Sequence, residues 1–473
     1  MEKDDVKAIS AGAWYTVSNI ALRAIGIITA PIFTRLLTTA DYGVVSNFTS
    51  WQNIISIFTS MSLSYSIGRA KIDFPSDFDS FLSAIQGLST IVSVCLFALA
   101  FLFRTQLSEA MALDISLVVA LFFYLIFYSS IEYVQSKFRF EYKYKENVAI
   151  AIYNTVSVVI LSILLIIYWN KPGYYGRIVG MLVPGFILAF ACWIAIFRRG
   201  KKFLVKAYWD YAMKIALPMI PHALAMIVLG QIDRIMIVKL VGESEAGIYS
   251  FGYSYAIIGS VVINAVCQAW QPWLYEKLHE EDYHEIKRAN KPLNALVAVF
   301  TLTLIAVAPE AIEILGAKPF WDAKWMVAPV VLGTFYQYIY NNFSAIELYT
   351  KKTIWIAVGS VMAAALNYVL NYLCIPRFGY NAAAFTTMAG YLALMIFHWI
   401  FSVVTYGRFV YDTKDLIHIL FVTTALGMVM FMDYDGWIIR YALLSIVIVL
   451  YLMRYWQSFK RIGMMILHKG RKN

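Results

Sequence analysis

Long apolar runs follow one another from end to end of this 473-residue chain, separated only by short polar connections. A helix that crosses a bilayer needs roughly 20 mostly apolar residues. On that ruler the sequence predicts spans near residues 10–36, 42–67, 80–103, 114–137, 147–168 and 174–197, then near 209–240, 244–273, 289–313, 324–349, 354–375 and 381–404, with a last pair near 414–432 and 436–457. With 61% hydrophobic and 14% charged residues and a mean hydropathy of +0.66, no single soluble core could cover the apolar surface, and a bilayer has to take it up. The expectation is an all-α polytopic membrane protein of about 14 transmembrane helices, several long enough to tilt or extend beyond the lipid. Trp51, Trp169, Trp193, Trp209, Trp273 and Trp325 sit where apolar runs meet polar loops, the place for rings with an apolar body and one polar edge.

Most of the 39 Lys and Arg residues fall on alternate connections, on the same side as both ends of the chain. Because this bias sets orientation, both termini are expected in the cytoplasm, and the net charge of +10 is mainly an orientation signal. The basic C-terminus reads as a contact for lipid headgroups, not for nucleic acid. Met1–Ser10 is polar, and the first apolar run leads into another span with no small-residue cleavage site, so the first helix is expected to be retained. Cys95, Cys192, Cys267 and Cys374 lie in apolar runs without metal-ligand spacing and read as packing residues. No metal and no cofactor is expected, and the absence of GxxxxGK[ST] argues against direct ATP drive by this chain.

The chain also resembles itself. The connection after the first span, RLLTTADYGVVS (Arg35 to Ser46), aligns with the one after the seventh, KLVGESEAGIYS (Lys239 to Ser250), at a shift of 204 residues. Leu36, Gly43 and Ser46 meet Leu240, Gly247 and Ser250 as identities, and four further positions are alike in kind. The same shift carries spans 5 and 6 onto 11 and 12. Six spans per repeat is an even number, so the halves share one orientation and are related by an axis near the membrane normal, an arrangement that places a solute pathway between two lobes. The expected domains are an N-terminal lobe over 1–204, its copy over 205–408, and a terminal helix pair with a basic tail over 409–473.

Two stretches carry a resemblance to a known family: Arg35-Leu36-Leu37-Thr38 through Asp41-Tyr42-Gly43, and GQIDRIMIVKLVGESEAGIYSFGYSY (Gly230 to Tyr255) with its Asp233-Arg234 pair. In these the chain resembles the polysaccharide transporter family, the Wzx-type flippases of O-antigen and other lipid-linked oligosaccharides, within the multidrug/oligosaccharidyl-lipid/polysaccharide exporter (MOP) superfamily. The resemblance implies a V-shaped bundle in the bacterial cytoplasmic (inner) membrane with a central cavity lined by spans 1, 2, 7 and 8. It also implies alternating access and an undecaprenyl-diphosphate-linked oligosaccharide as cargo. Many members have twelve spans, and the extra pair at the end brings the chain closer to the related lipid II flippases.

An ionisable side chain at membrane depth costs roughly 2.5–3.5 kcal/mol on insertion scales, so each needs a cavity or a partner. Arg23 lies twelve residues before Arg35, about 18 Å along the helix and near the midplane, with Asn19 one turn away on a similar face. A cation there would attract a diphosphate or an acidic sugar; a structural pairing to a neighbouring helix is the alternative. In span 7, His222 and Asp233 return to within about 20° of one helix face. Asp233 is the candidate for ion coupling, by H+ or Na+, and His222 is either a protonation switch or a hydrogen-bonded core histidine. Lys214, toward the cytoplasmic end, and Arg234 are candidate substrate contacts, as His222 is; the alternatives are that Lys214 snorkels and that Arg234 pairs with Asp233 or an adjacent span. Pro218 and Pro221 remove backbone donors and should bend this helix, as a hinge or as simple curvature. Ser260, Asn264 and Gln268 step by four along span 8, and the shift of 204 maps them onto Ser56, Ser60 and Ser64 in span 2. These stripes suit a sugar-lined wall or interhelical hydrogen bonding. Asn367 and Asn371 read as capping or packing residues. Glu132, Glu310, Glu313 and Glu347 sit near helix ends within reach of headgroup water, and EKLHEEDYHEIKR (Glu276 to Arg288) reads as a solvated cytoplasmic helix.

A flippase is the first expectation, with membrane lipids and other polysaccharide assembly proteins as partners. A multidrug exporter of the same superfamily is the alternative; organic cations would favour an acidic cavity, whereas Asp233 stands against Arg23, Lys214 and Arg234. A membrane polymerase or ligase is a third, disfavoured because such chemistry needs residues arrayed on a long outer loop and every outer connection is short.

Overall fold

The computed structural model describes residues 29–352 and 354–470, and every regular element among them is a helix. Residues 29–36 form α1, and α2 follows at Thr39–Ser60, α3 at Ser64–Asp73, α4 at Phe78–Leu102, α5 at Arg104–Met111, α6 at Ile115–Phe140, α7 at Tyr144–Tyr168 and α8 at Gly173–Gly200. Next come α9 at Lys206–Ala216, α10 at Ile220–Leu240, α11 at Glu243–His279, α12 at Tyr283–Ala306, α13 at Ala308–Leu315 and α14 at Lys324–Tyr349. The chain ends with α15 at Ile354–Phe378, α16 at Ala382–Tyr406, α17 at Thr413–Met432 and α18 at Ile438–Gly470. Helix is what lipid dictates, because each backbone donor and acceptor must be satisfied within its own segment.

Eleven spans among the described residues are long and apolar enough to cross a membrane. Two more polar helices also have membrane-crossing length, α2 with 22 residues and α14 with 26. Most of the first predicted span, 10–36, lies outside the described residues. The chain is a multi-pass membrane protein.

The residues sort into two compact units. One runs to Ser250 and takes in Leu315–Pro319 and Asn371–Tyr380; the other comprises Phe251–Ile314, Phe320–Leu370 and Asn381 onward. In the first, α4, α6 and α8 enclose a core in which Phe48, Val118, Leu121, Leu125 and Ile178 are buried. Gly176 and Gly180, four apart on α8, let α7 come close: a Cβ on Gly180 would stand 2.5 Å from Ser162 Cα, and one on Gly176 2.8 Å from Ile166 N. Small residues at this spacing are how helices pack in lipid, where apolar surface alone gives no preference for protein over tail. A second core joins α3, α4 and α9 through Phe74, Phe81, Tyr208 and Tyr211, whose ring centroids lie 5.0–5.8 Å apart.

Two expectations about continuity are corrected. Span 2 is interrupted: α2 stops at Ser60, Met61 and Ser62 take left-handed φ of 50° and 53°, and α3 restarts at Ser64. Left-handed backbone costs an L-residue roughly 1–2 kcal/mol. The break is held by Tyr133, whose hydroxyl donates to Ser60 O at 3.1 Å. The stretch Glu276 to Arg288 is not one solvated helix either; α11 ends at His279 and α12 begins at Tyr283, capped by Asp282, which accepts from Glu285 N at 3.0 Å.

In the second unit, α14 packs along α16 and against α12 and α17, and the terminal pair α17–α18 lies on α12. Arg440 on α18 is anchored there. Its guanidinium donates to Glu310 at 2.7 and 3.0 Å, to Gly436 O at 2.6 Å and to Ala306 O. Glu310 is therefore tied to α18 and is not a residue that merely reaches headgroup water. Breaking a fully buried ion pair costs about 3–5 kcal/mol because a bare charge is left behind. Arg440 is 2% exposed but Glu310 38%, so water replaces part of the lost carboxylate and Glu310→Gln should cost less than that range. Thermal unfolding of the solubilised protein should fall in Glu310→Gln and recover when Arg440→Met is combined with Glu310→Met.

Candidate functional site

The duplicated connections meet. Thr38 and Asp41 start α2 with a reciprocal cap: Thr38 Oγ1 accepts from Asp41 N at 3.0 Å, and Asp41 Oδ2 accepts from Thr38 N at 3.1 Å. Asp41 Oδ1 also accepts from Tyr174 N at 3.1 Å, which ties this corner to α8. From there α2 crosses the first turns of α11 through glycine. A Cβ on Gly43 would lie 1.8 Å from Glu243 O, and one on Gly247 would lie 1.8 Å from Thr39 O. The shift of 204 carries Thr39 onto Glu243 and Gly43 onto Gly247, so each contact is the image of the other, the self-complementary pattern of a two-fold axis. Hydroxyls flank the crossing, Thr39 Oγ1 with Ser244 Oγ at 2.7 Å and Ser46 Oγ with Ser250 Oγ at 2.6 Å. No side chain larger than hydrogen fits at either glycine without moving backbone.

Beside this crossing α10 packs on α2 and carries Asp233 and Arg234. Asp233 is fully buried. Tyr249 Oη donates to its Oδ2 at 2.5 Å and Asn371 Nδ2 to its Oδ1 at 2.6 Å. Arg234 is buried too, donating to Gly230 O at 2.7 Å and to Gln231 Oε1 at 3.1 Å, and Gln231 in turn accepts from Ser50 Oγ at 3.1 Å. Asn371 thus belongs to the polar group around Asp233 and is not a capping residue. Asn367 is fully buried and donates to Thr387 Oγ1 at 3.3 Å. Sequence reasoning missed Gln231 and Tyr249, and it read Asn371 as capping or packing without its tie to Asp233.

The other candidates are dispersed. Lys214 is exposed on α9 and His222 half-buried in the first turn of α10. Pro218 lies within the 3₁₀ turn at Leu217–Met219 that separates α9 from α10 in span 7, and Pro221 follows in the first turn of α10. Early helix positions suit proline, which has no N–H to leave unpaired. Ser60 is buried at the end of α2, with its Oγ accepting from Ser62 N at 3.3 Å, while Ser64 opens the next helix; the serine stripe is therefore not on one continuous face. Asn264 and Gln268 are exposed along α11. Arg23 and Asn19 lie outside the described residues. Glu347 does not reach headgroup water: it is fully buried against His398, which sequence reasoning did not select.

Removing the Asp233 carboxylate takes an acceptor from both Tyr249 and Asn371. Loss of a buried partner costs about 1–3 kcal/mol, so Asp233→Ala should lower the unfolding temperature more than Asp233→Asn, which keeps one acceptor; equal stability of the two would contradict this placement.

Known proteins agree with this architecture. The family model described as "Polysaccharide biosynthesis protein" matches residues 10–277, more than half of the chain. The lipid II flippase MurJ in an inward closed conformation superposes with a TM-score of 0.72 at 12% identity, over 94% of this chain and 99% of that one. A multidrug resistance MATE family transporter of the MOP superfamily, inward-facing, gives 0.61 at 13% identity over 83% and 98%. Among curated proteins, the Lsg locus putative protein 1 of Haemophilus influenzae is 26% identical over 191 residues, 39% of this chain and 45% of that protein. An uncharacterized membrane protein of the same organism is 25% identical over 224 residues, 46% and 55% respectively. The chain thus spans about half the length of the curated relatives it matches. It has the fold of the MOP-superfamily transporters, and it belongs to the polysaccharide biosynthesis protein family.

Proposed function

We propose that this protein is a flippase that moves an undecaprenyl-diphosphate-linked oligosaccharide, an O-antigen, capsule or exopolysaccharide repeat unit, from the cytoplasmic to the outer leaflet of the bacterial inner membrane. The observation that carries the reading is membership of a polysaccharide biosynthesis family by a chain with the fold of a lipid II flippase over nearly its whole length. The cargo chemistry fits the residues. A diphosphate calls for cations at membrane depth, and Arg23 and Arg234 supply them within spans. The sugar head crosses in a polar environment while the prenyl tail stays in lipid. Both termini face the cytoplasm, the duplicated halves 1–204 and 205–408 are the two working lobes, Pro218 and Pro221 mark a hinge, and Asp233 couples the cycle to H+ or Na+.

A cell lacking its own copy tests the assignment. Expression should restore surface polysaccharide, and Arg23→Ala and Arg23→Glu should abolish it at normal protein levels; wild-type output from both variants would refute the cationic pathway. Drug resistance without any effect on polysaccharide would favour the multidrug exporter.

On this reading the glycine crossing of α2 and α11 is the outward gate in its closed state. Its hydroxyl pair allows a lock. Ser46→Cys with Ser250→Cys, in a background without the four native cysteines, should form a disulfide that stops flipping in membrane vesicles, and a reductant should restore it. Unimpaired flipping by the cross-linked protein would exclude this crossing as a moving gate.

A further inference from the structure

Away from the residues assigned so far, two ionisable side chains are sealed together in the second unit. Glu347, two residues before the end of α14 at Tyr349, and His398 of α16 are each 0% exposed. His398 Nδ1 lies 2.9 Å from Glu347 Oε1 and 2.9 Å from Oε2. The other ring nitrogen, Nε2, is buried without a hydrogen-bond partner among the described residues. It faces α15 at Gly359, where an added Cβ would stand 2.8 Å away. Tyr340 of α14, with ring centroids 4.8 Å apart, and Phe397 of α16, at 5.3 Å, cover the imidazole. Tyr340 is the titratable group that packs on the pair from α14. From α15 the contact is Gly359, which carries no charge. The turn after α14 carries Lys351 and Lys352, both exposed, and it meets Glu347 through its backbone, Lys352 N donating to Glu347 O at 2.9 Å.

Proton counting limits what such a pair can hold. A carboxylate with an imidazolium, or a carboxylic acid with a neutral imidazole, contains two N- or O-bound hydrogens and is neutral overall. Removing one hydrogen leaves a net negative charge and adding one leaves a net positive charge, and neither is tolerated where water does not reach. A purely structural link would satisfy its polar atoms, as Asp233 does with two donors. Here one nitrogen is left over, which disfavours a static role.

We propose that Glu347 and His398 form a one-proton site that is occupied and occluded in this conformation. It gives the proton to water when the packing of α14, α15 and α16 opens, leaving a carboxylate beside a neutral imidazole, and regains a proton before closing. The link to transport rests on the flippase reading above; the existence of the site does not. The site lies on residues other than Asp233, so it adds a second titratable element to the cycle.

Histidine NMR of the full chain in nanodiscs tests the site without any cargo, the His398 resonance being the one lost in His398→Gln. It should titrate together with a carboxyl infrared band that is lost in Glu347→Gln, as a coupled pair does. In Glu347→Gln the histidine transition should change or vanish. A His398 signal that stays constant from about pH 5 to 9, or that titrates identically in Glu347→Gln, overturns the proposal. The link to transport is read in the complemented cells. Glu347→Gln and His398→Gln should each cut polysaccharide output at least tenfold at normal protein levels, and wild-type output from both would overturn the link. If the wild-type chain restores no polysaccharide, the flippase reading fails while the titration still decides the site.

Discussion

A polar group inside hydrocarbon has no water to fall back on, and this single fact organises the chain from backbone to side chain. It makes every spanning segment a helix, and it requires each buried charge to be met by a group brought from elsewhere in the sequence. Asp233 is met by Tyr249 and by Asn371, Arg440 by Glu310, and Glu347 by His398. Each pairing joins helices that apolar contact alone would leave free to slide, because lipid tails compete equally well for apolar surface. Polar partners and small-residue crossings therefore set the register, while leucine and phenylalanine fill the space between.

The all-helical, many-span character was legible because hydrophobicity accumulates over about 20 residues and needs no partner to be read. The in-span charge of Asp233 was legible for the same reason. Its partner Asn371 was not, since 138 residues separate them and nothing local marks the pairing. Glu347 was misread because closeness to a helix end, followed by Lys351 and Lys352, looks like access to water; the packing of α16 denies that access. The break at Met61 and Ser62 carries neither Gly nor Pro, the residues that would have announced it.

The internal repeat illustrates both sides. Twelve aligned residues implied a duplication, and seven of them, identical or alike in kind, carried the signal. What the alignment could not say is that the two copies touch. The structure places Gly43 against Glu243 and Gly247 against Thr39, so the residues that match in sequence also match in space. A contact made twice by one motif suits the proposed gate: one geometry serves both helices, and glycine lets them approach without interlocking side chains.

Whether the protein moves a lipid-linked sugar is answered most directly in proteoliposomes containing a labelled polyprenyl-diphosphate oligosaccharide, using a membrane-impermeant enzyme that modifies only sugar on the outer leaflet. The account predicts that the modifiable share rises from the outer-leaflet fraction toward the whole pool when the purified protein is present. A share that stays at the protein-free level, with the protein folded in the bilayer, would contradict it.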